Sequence, residues 1–233
     1  MNNKELVGRQ AAYLVKDHMT VGLGTGSTAW YFIDELGKRV QKEGLSLRAV
    51  SSSIRSAQQA EQLGIEVLEI DEVEAIDLTI DGVDEFTEAC DGIKGGGGAL
   101  LEEKIVASYS KRIVWVAEER KRVPYLGAFK LPVEVVKNGY THLFHYFEEK
   151  GYCPSMREVD GKLFHTDNDN YIIDLDLKHI EDPKALSDEL IHLVGVVEHG
   201  LFLNMTEDVL LASDGKVYFV SGKPFKGVHL IDE

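Results

Sequence analysis

The chain has 233 residues, 44% of them hydrophobic, enough for one large core or for a larger unit carrying a smaller one. Forty Asp and Glu against 25 Lys and Arg give a net charge of −15, which opposes general nucleic-acid binding and requires any anionic ligand to find a local positive site. The N-terminal MNNKELVGRQAAYLVKD lacks a signal-peptide pattern, no stretch is apolar for long enough to span a bilayer, and Cys90 and Cys153 make neither a CxxC pair nor a disulfide framework. A cytoplasmic protein with no membrane or nucleic-acid partner is the expectation.

Apolar positions at helical spacing predict a helix over residues 4–17, followed by a short strand from Thr20 to Leu23. Beyond the glycine-rich GLGTGST, helices are expected at Ala29–Val40 and Ala57–Leu63, with strands at Leu45–Ser51 and Glu66–Ile70. A strand at Ala75–Ile80, a loop at 81–98, a helix at Ala99–Ser110 and an apolar strand at Arg112–Ala117 complete the alternation, which predicts an open, mostly parallel, Rossmann-like α/β sheet.

After Pro124–Pro132 the character changes. Helices near Thr141–Lys150 and Pro183–Leu193 are interleaved with strands near Met156–Val159, Leu163–Thr166, Tyr171–Leu175 and Val196–Phe202, which predicts a second, smaller α+β domain. Val209–Ala212 and Lys216–Val220 read as a hairpin. The expected division is therefore 1–130 plus about 204–233 for the larger domain and 131–203 for the smaller, a subunit contact. The tail from Ser221 lacks periodicity, which predicts loose order or docking on a neighbour.

In GLGTGST (Gly22–Thr28) a strand enters a helix through residues that allow close backbone approach, so helix-start amides can face an anion, with hydroxyl donors from Thr25, Ser27 and Thr28. The bland reading is a tight turn with helix caps. The spacing GxGxG puts Ser27 where a dinucleotide fingerprint has its third glycine, and no P-loop lysine follows, so a small phosphate ester fits better than a nucleotide.

TIDGVDE sets Asp81 and Asp84 just past the end of a buried strand, where open α/β sheets present ligand sites. Ten residues after Asp84, Lys94 opens KGGGGALLEEK, whose four consecutive glycines lose much backbone entropy on folding and suit the close approach of a ligand. Carboxylates, an ammonium and free amides together supply what aldose–ketose isomerisation needs: a base to take the proton beside the carbonyl, and positive groups for the enediolate oxygen. No redox cofactor is needed. Glu102 and Glu103 are helix neighbours about 100° apart, so only one faces the site. The rival readings are solvated or helix-dipole acids, and a magnesium site on Asp81, Asp84, Glu85 and Glu88 that Lys94 makes unnecessary.

The ordered set GLGTGST, AVSSS, TIDGVDE, IKGGGGALLEEK, LPVEV, TDNDNYIIDLD and GVVEHGLF resembles the A-type ribose-5-phosphate isomerases over nearly the whole chain. The resemblance implies interconversion of ribose 5-phosphate and ribulose 5-phosphate in the non-oxidative pentose phosphate pathway, by a cytoplasmic homodimer or homotetramer with no cofactor and no metal. It implies Glu103 as base, with Asp81, Asp84 and Lys94 completing the catalytic group. Its contacts to phosphate and sugar fall on Thr25, Gly26, Ser27 and Thr28, on Asp81, Gly82, Val83 and Asp84, on Lys94, Gly95, Gly96 and Gly97, and on Lys121, with Lys4 adding one more. Asp81 is expected to assist ring opening and proton exchange between sugar oxygens. Two departures stand out: Glu118, Glu119, Arg120 and Lys121 occupy a place where many members have Asp or Glu, Ser, Lys, and the tail runs past the usual end.

Two further patterns carry less. His142 and His145 are three apart on a predicted helix without a third zinc ligand, which makes them surface histidines. Tyr140, Phe144, Tyr146 and Phe147 have no basic stripe among them and read as core or subunit contact. A sugar-phosphate-sensing domain is the alternative from another class; the chain opens on the helix before the phosphate turn, leaving no helix-turn-helix segment, and joins a base to an electrophile. A nicotinamide-dependent oxidoreductase is disfavoured by the missing third glycine.

Overall fold

Asn2 opens the first helix, α1 (Asn3–Ala12), its side chain accepting the Glu5 amide. The helix stops five residues short of the expected Asp17, because Asp17 Oδ1 accepts the His18 and Ser46 amides and so offers the backbone a non-helical alternative. The computed structural model describes residues 2–206, 208–221 and 227–230.

In chain order the elements that follow are β1 (Thr20–Leu23), α2 (Ser27–Glu43), β2 (Arg48–Ser51), α3 (Ile54–Gln62), β3 (Glu66–Leu68), β4 (Leu78–Gly82), β5 (Glu85–Phe86), β6 (Gly92–Ile93), α4 (Leu100–Ser108) and β7 (Ile113–Glu118). Then come β8 (Leu131–Val135), α5 (Tyr140–Glu149), β9 (Pro154–Met156), β10 (Glu158–Val159), β11 (Lys162–Leu163), β12 (Tyr171–Leu175), α6 (Pro183–Ile191), β13 (Val196–His199), β14 (Leu201–Phe202), β15 (Asp208–Ser213), β16 (Lys216–Ser221) and β17 (Gly227–Leu230).

The main sheet runs β17-β16-β15-β7-β4-β1-β2-β3, parallel from β15 to β3 and extended antiparallel by β16 and β17. The α/β class expected from the alternating pattern is the one observed. The tail is a correction: residues 227–230 add an edge strand in register with Tyr218–Ser221, satisfying backbone groups on that edge. The rest of the tail lies outside the described residues.

Chain order reverses direction across the sheet at β1, which has β2 on one side and β4 on the other. Such a switch point opens a crevice beyond the carboxyl ends of the two central strands. Here those ends lead into the TGST turn and into Asp81–Asp84. Fully buried Val21, Leu23, Phe32, Ile33, Leu36, Ile80, Val114 and Val116 lock helices to strands beneath the crevice.

A second, all-antiparallel sheet, β13-β8-β12-β9, packs with α5 and α6 around Leu131, Val133, Val135, Phe147, Ile173, Leu175 and Leu190. The continuous strand expected over Val196–Phe202 is broken at Gly200. There the Gly200 amide donates to Pro132, its carbonyl accepts the Lys94 amide at 2.9 Å, and a Cβ would lie 2.4 Å from the Lys94 carbonyl oxygen. Past the break, β14 pairs with β6, and β6 with β5, in a small sheet of its own; β5 and β6 lie within what was expected to be the loop 81–98. Lys94 is thus pinned by the backbone of a segment a hundred residues away. The strand expected at Leu163–Thr166 shortens to a two-residue pairing of β10 with β11, since Thr166 and Asn170 close a turn on each other instead.

Candidate active site

At the end of β1 the Gly24 amide donates to the Ile80 carbonyl at 2.9 Å. A Cβ on Gly24 would sit 2.1 Å from Asp81 Oδ1, so only glycine lets the turn fold down over that carboxylate. Asp81 Oδ1 in turn accepts the Thr25 amide at 3.0 Å and the Gly82 amide at 2.7 Å. Gly26, at φ +111°, starts α2 without a side-chain cap, and the first-turn amides of a helix have no intrahelical partner.

Cations collect around those amides. Lys4 Nζ donates to Ser27 Oγ at 2.9 Å, while Lys121 Nζ donates to the Val83 carbonyl. Burial lowers the Lys121 pKa; Asp84 opposes that, and Lys94, Lys4 and Arg120 add to it by repulsion. Lys121 and the three cations near enough to repel it, beside a helix N-terminus, give this end of the crevice a local positive character in an acidic chain.

Facing this site is a buried charge cluster. Lys94 Nζ lies 2.9 Å from Asp81 Oδ2 and 3.1 Å from Glu103 Oε1, and donates to the Gly82 carbonyl at 2.6 Å. Three partners use all three N–H groups of the ammonium. Lys94 and Glu103 are only 2% and 4% exposed. Burial works to lower the Lys94 pKa, but the attraction of Asp81 and Glu103 outweighs it and the net shift is upward, so the ammonium stays charged. Burial pushes the Glu103 carboxyl up to about 8, with Lys94 opposing and Asp81 and Asp84 reinforcing the rise. Burial also raises Asp81. One cation serves two carboxylates, so one of them is easily protonated.

The other oxygen of Glu103, Oε2, is buried and has no hydrogen-bond partner among the described residues. Glu102, one residue earlier on α4, points the other way and accepts Asn168 Nδ2 at 2.8 Å near the surface.

One cavity of about 530 Å³ is lined by Lys4, Thr25, Gly26, Ser27, Thr28, Gly82, Val83, Asp84, Lys94, Gly96, Gly97, Glu103 and Lys121, all singled out in the sequence. Two expected contacts do not line it. Asp81 stands behind Lys94 with both oxygens engaged, and Gly95 turns its carbonyl away toward Arg157 at 2.7 Å. Asp84 does reach the cavity, one oxygen accepting the Gly96 amide at 2.7 Å.

Sequence reasoning missed Arg120, Glu85, Val123, Ala128 and Phe129 in the wall. Glu85 belongs to TIDGVDE and spends its carboxylate on the amides of Gly127 and Phe129, which brings the 127–129 loop to the cavity. Arg120 stands in the run that departs from the family pattern, which was its only signal. The four acids weighed as a magnesium site diverge: Asp81 to Lys94, Asp84 to Gly96, Glu85 to the 127–129 loop and Glu88 to Arg122. His142 is exposed and His145 pairs with Glu148, while Phe147 is fully buried.

A doubly wound sheet whose switch point sets a glycine-rich helix-start turn opposite a buried carboxylate–ammonium pair defines an α/β protein with the groups for acid–base chemistry in one cavity. The family model for ribose 5-phosphate isomerase A (phosphoriboisomerase A) matches residues 48–216. Ribose-5-phosphate isomerase A of Streptococcus agalactiae serotype III is 57% identical over 209 residues, 90% of this chain and 94% of that one. The ribose 5-phosphate isomerase A structure from Methanocaldococcus jannaschii superimposes with a TM-score of 0.89 at 37% identity, covering 94% of this chain and 98% of that one. A D-ribose-5-phosphate isomerase in complex with phospho-erythronic acid gives a TM-score of 0.91 at 31% identity, over 95% of this chain and 100% of that one. The chain belongs to the ribose 5-phosphate isomerase A family.

Proposed function

We propose that this chain interconverts D-ribose 5-phosphate and D-ribulose 5-phosphate through an enediolate. The observation that carries the reading is Oε2 of Glu103: a buried carboxylate oxygen without a hydrogen-bond partner among the described residues, on a side chain that lines a cavity shared with the 25–28 turn. The phosphate sits against residues 25–28 with Lys4, Lys121 and Arg120, which leaves the first two carbons of the sugar beside Glu103. Glu103 takes the proton from carbon 2, forming the enediolate, and returns it to carbon 1. As Glu103 takes up that proton it loses its negative charge and its claim on Lys94, whose ammonium then turns to the oxyanion that has just formed. Asp81 holds Lys94 in place. Asp84, which lines the cavity, is better placed than Asp81 to exchange protons with the sugar oxygens during ring opening.

Membership of the family supports a place in the non-oxidative pentose phosphate pathway, in the cytoplasm, where a buried Cys90 and an exposed Cys153 suit a reducing compartment. We further propose that residues 131–203 form the smaller domain, through which copies associate as a homodimer or homotetramer; separate packing around Phe147 and Leu190 and the 97% exposure of Val194 support that division. Light scattering of the purified protein measures the assembly.

The test of function is to incubate purified protein with ribose 5-phosphate and a chelator while following ketose formation. Turnover unaffected by the chelator is expected. Binding without turnover would replace the enzyme by the sugar-phosphate sensor.

A further inference from the structure

We infer that Arg157, a residue of the small antiparallel unit outside the cavity, is a positioning residue for the reaction: it clamps the glycine turn that joins Lys94 to the helix carrying Glu103. The inference rests on the isomerase reading above. Arg157 lies between β9 and β10, its amide donating to the Ile172 carbonyl at 2.9 Å, so its own backbone is fixed by sheet pairing. Its guanidinium is gripped by both oxygens of Asp174 on β12, Nε at 2.9 Å from Oδ2 and Nη2 on Oδ1. The remaining arm, Nη1, reaches out of the sheet to the Gly95 carbonyl at 2.7 Å and toward the Gly96 carbonyl at 3.4 Å.

Gly95 to Gly98 is the segment most in need of such a clamp, since four glycines in a row resist ordering more than any other four residues. Gly95 stands at φ +96°, which swings its carbonyl away from the cavity, and that carbonyl also accepts the Gly98 amide at 3.0 Å. Asp84 holds the opposite side of the turn through the Gly96 amide, and the Phe164 ring covers Gly98, where a Cβ would lie 2.4 Å from ring carbon Cζ. Two of these three restraints, Arg157 and Phe164, come from the 154–164 region of the chain, sixty residues from the turn. An arginine suits the task because its planar fork can satisfy a carboxylate on one edge and a carbonyl on another, and Asp174 cancels its charge, so the turn gains a donor without a new field at the site.

The experiment measures kcat, KM, inorganic-phosphate affinity and thermal stability for Arg157→Ala, Arg157→Lys and Arg157→Gln, each with and without millimolar guanidinium. The clamp orders the reacting end and leaves the phosphate end alone, so Arg157→Ala should lose kcat by about 10²-fold, the cost of a misplacement near 1 Å. Phosphate affinity should stay within about twofold of the wild type, far less than that loss. Arg157→Lys should not recover the rate, and guanidinium should restore part of kcat to Arg157→Ala alone. Wild-type-like kcat in the alanine variant overturns the inference, as does a loss of rate matched by phosphate affinity or one that guanidinium leaves untouched. If Arg157→Ala does not fold, Arg157→Gln and Asp174→Asn carry the same kcat expectation at retained phosphate affinity. A wild-type protein that forms no ketose sinks the isomerase reading itself; an active wild type with an equally active Arg157→Ala sinks only the clamp.

Discussion

Lys94 Nζ stands 3.1 Å from one oxygen of Glu103 and leaves the other oxygen without a partner among the described residues. A carboxylate held on one side by a fixed cation cannot swing away, and the free side is the one on which a proton can be received. In the proposed reaction the ion pair orients Glu103 as the base while the cost of burying it keeps it basic.

Glu103→Gln keeps the shape and removes the basicity. Its kcat should fall by about 10³-fold, within the range that a positioned base supplies, while affinity for ribose 5-phosphate is retained. Glu102→Gln should stay near the wild-type rate, because that side chain is turned from the cavity and meets Asn168 at the surface. Steady-state kinetics on the two variants, side by side, decide whether the adjacent glutamates differ as the helix geometry requires.

The same carboxyl should set opposite trends in activity and stability with pH. As the proposed base it works when ionised, so kcat/KM should climb with pH along a limb centred near 8, the value to which burial pushes Glu103. For stability the sign reverses: a folded pKa of about 8 against an ordinary 4.5 means the folded state binds more protons between those values. The stabilising contribution is complete below about 4.5 and is lost as pH rises through 8. Urea unfolding from pH 5 to 9 should show stability falling for the wild type and a shallower fall for Glu103→Gln; an equal slope in both would assign the effect to another group.

Much of the fold was legible because its signals are local. Alternating apolar runs and helical spacings gave the α/β order, and GLGTGST and KGGGG stood out because only glycine tolerates Gly24 against Asp81 or the positive φ of Gly26 and Gly95. Features decided by partners distant in sequence were not legible. Helix α1 ends at Ala12 because Asp17 finds Ser46, and the expected 196–202 strand breaks because Gly200 must pass Lys94. Arg157 reads as an ordinary surface arginine until Asp174 and Gly95 arrive beside it. Choosing Glu103 over Glu102 took the family resemblance, since helical spacing says only that one of the two faces inward.

Lys94→Met should be costlier to stability than most core substitutions, and the cost should depend on pH. It strands Asp81 and Glu103 together in a buried site, a situation worth on the order of 3–5 kcal/mol when one partner of a buried ion pair is removed. Lowering the pH protonates the stranded carboxyls and relieves most of that cost. Denaturant midpoints at pH 8 and pH 5.5 measure it; a loss of the same size at both would mean that packing, not charge, holds the cluster.

Gly24→Ala and Gly26→Ala separate crowding from strain within one turn. A methyl at Gly24 would lie 2.1 Å from Asp81 Oδ1 and 2.5 Å from the Asp81 Cα, and the Asp81 backbone cannot yield as a flexible side-chain end would. The turn must lift, tearing the Thr25 amide from Asp81 and moving the carboxylate that steadies Lys94. A loss near the upper end of about 1–3 kcal/mol for overpacking is expected, together with a drop in kcat. At Gly26 nothing lies within 4 Å of the added methyl, and the whole penalty is the φ of +111°. That strain, roughly 1–3 kcal/mol, falls on the amides to which the phosphate is assigned in the proposed reaction, so Gly26→Ala should raise KM and weaken inorganic phosphate while leaving the Glu103–Lys94 pair intact. Calorimetry for stability and phosphate titration for binding distinguish the two, and a Gly24→Ala protein with unchanged kcat would show that Asp81 does not govern the placement of Lys94.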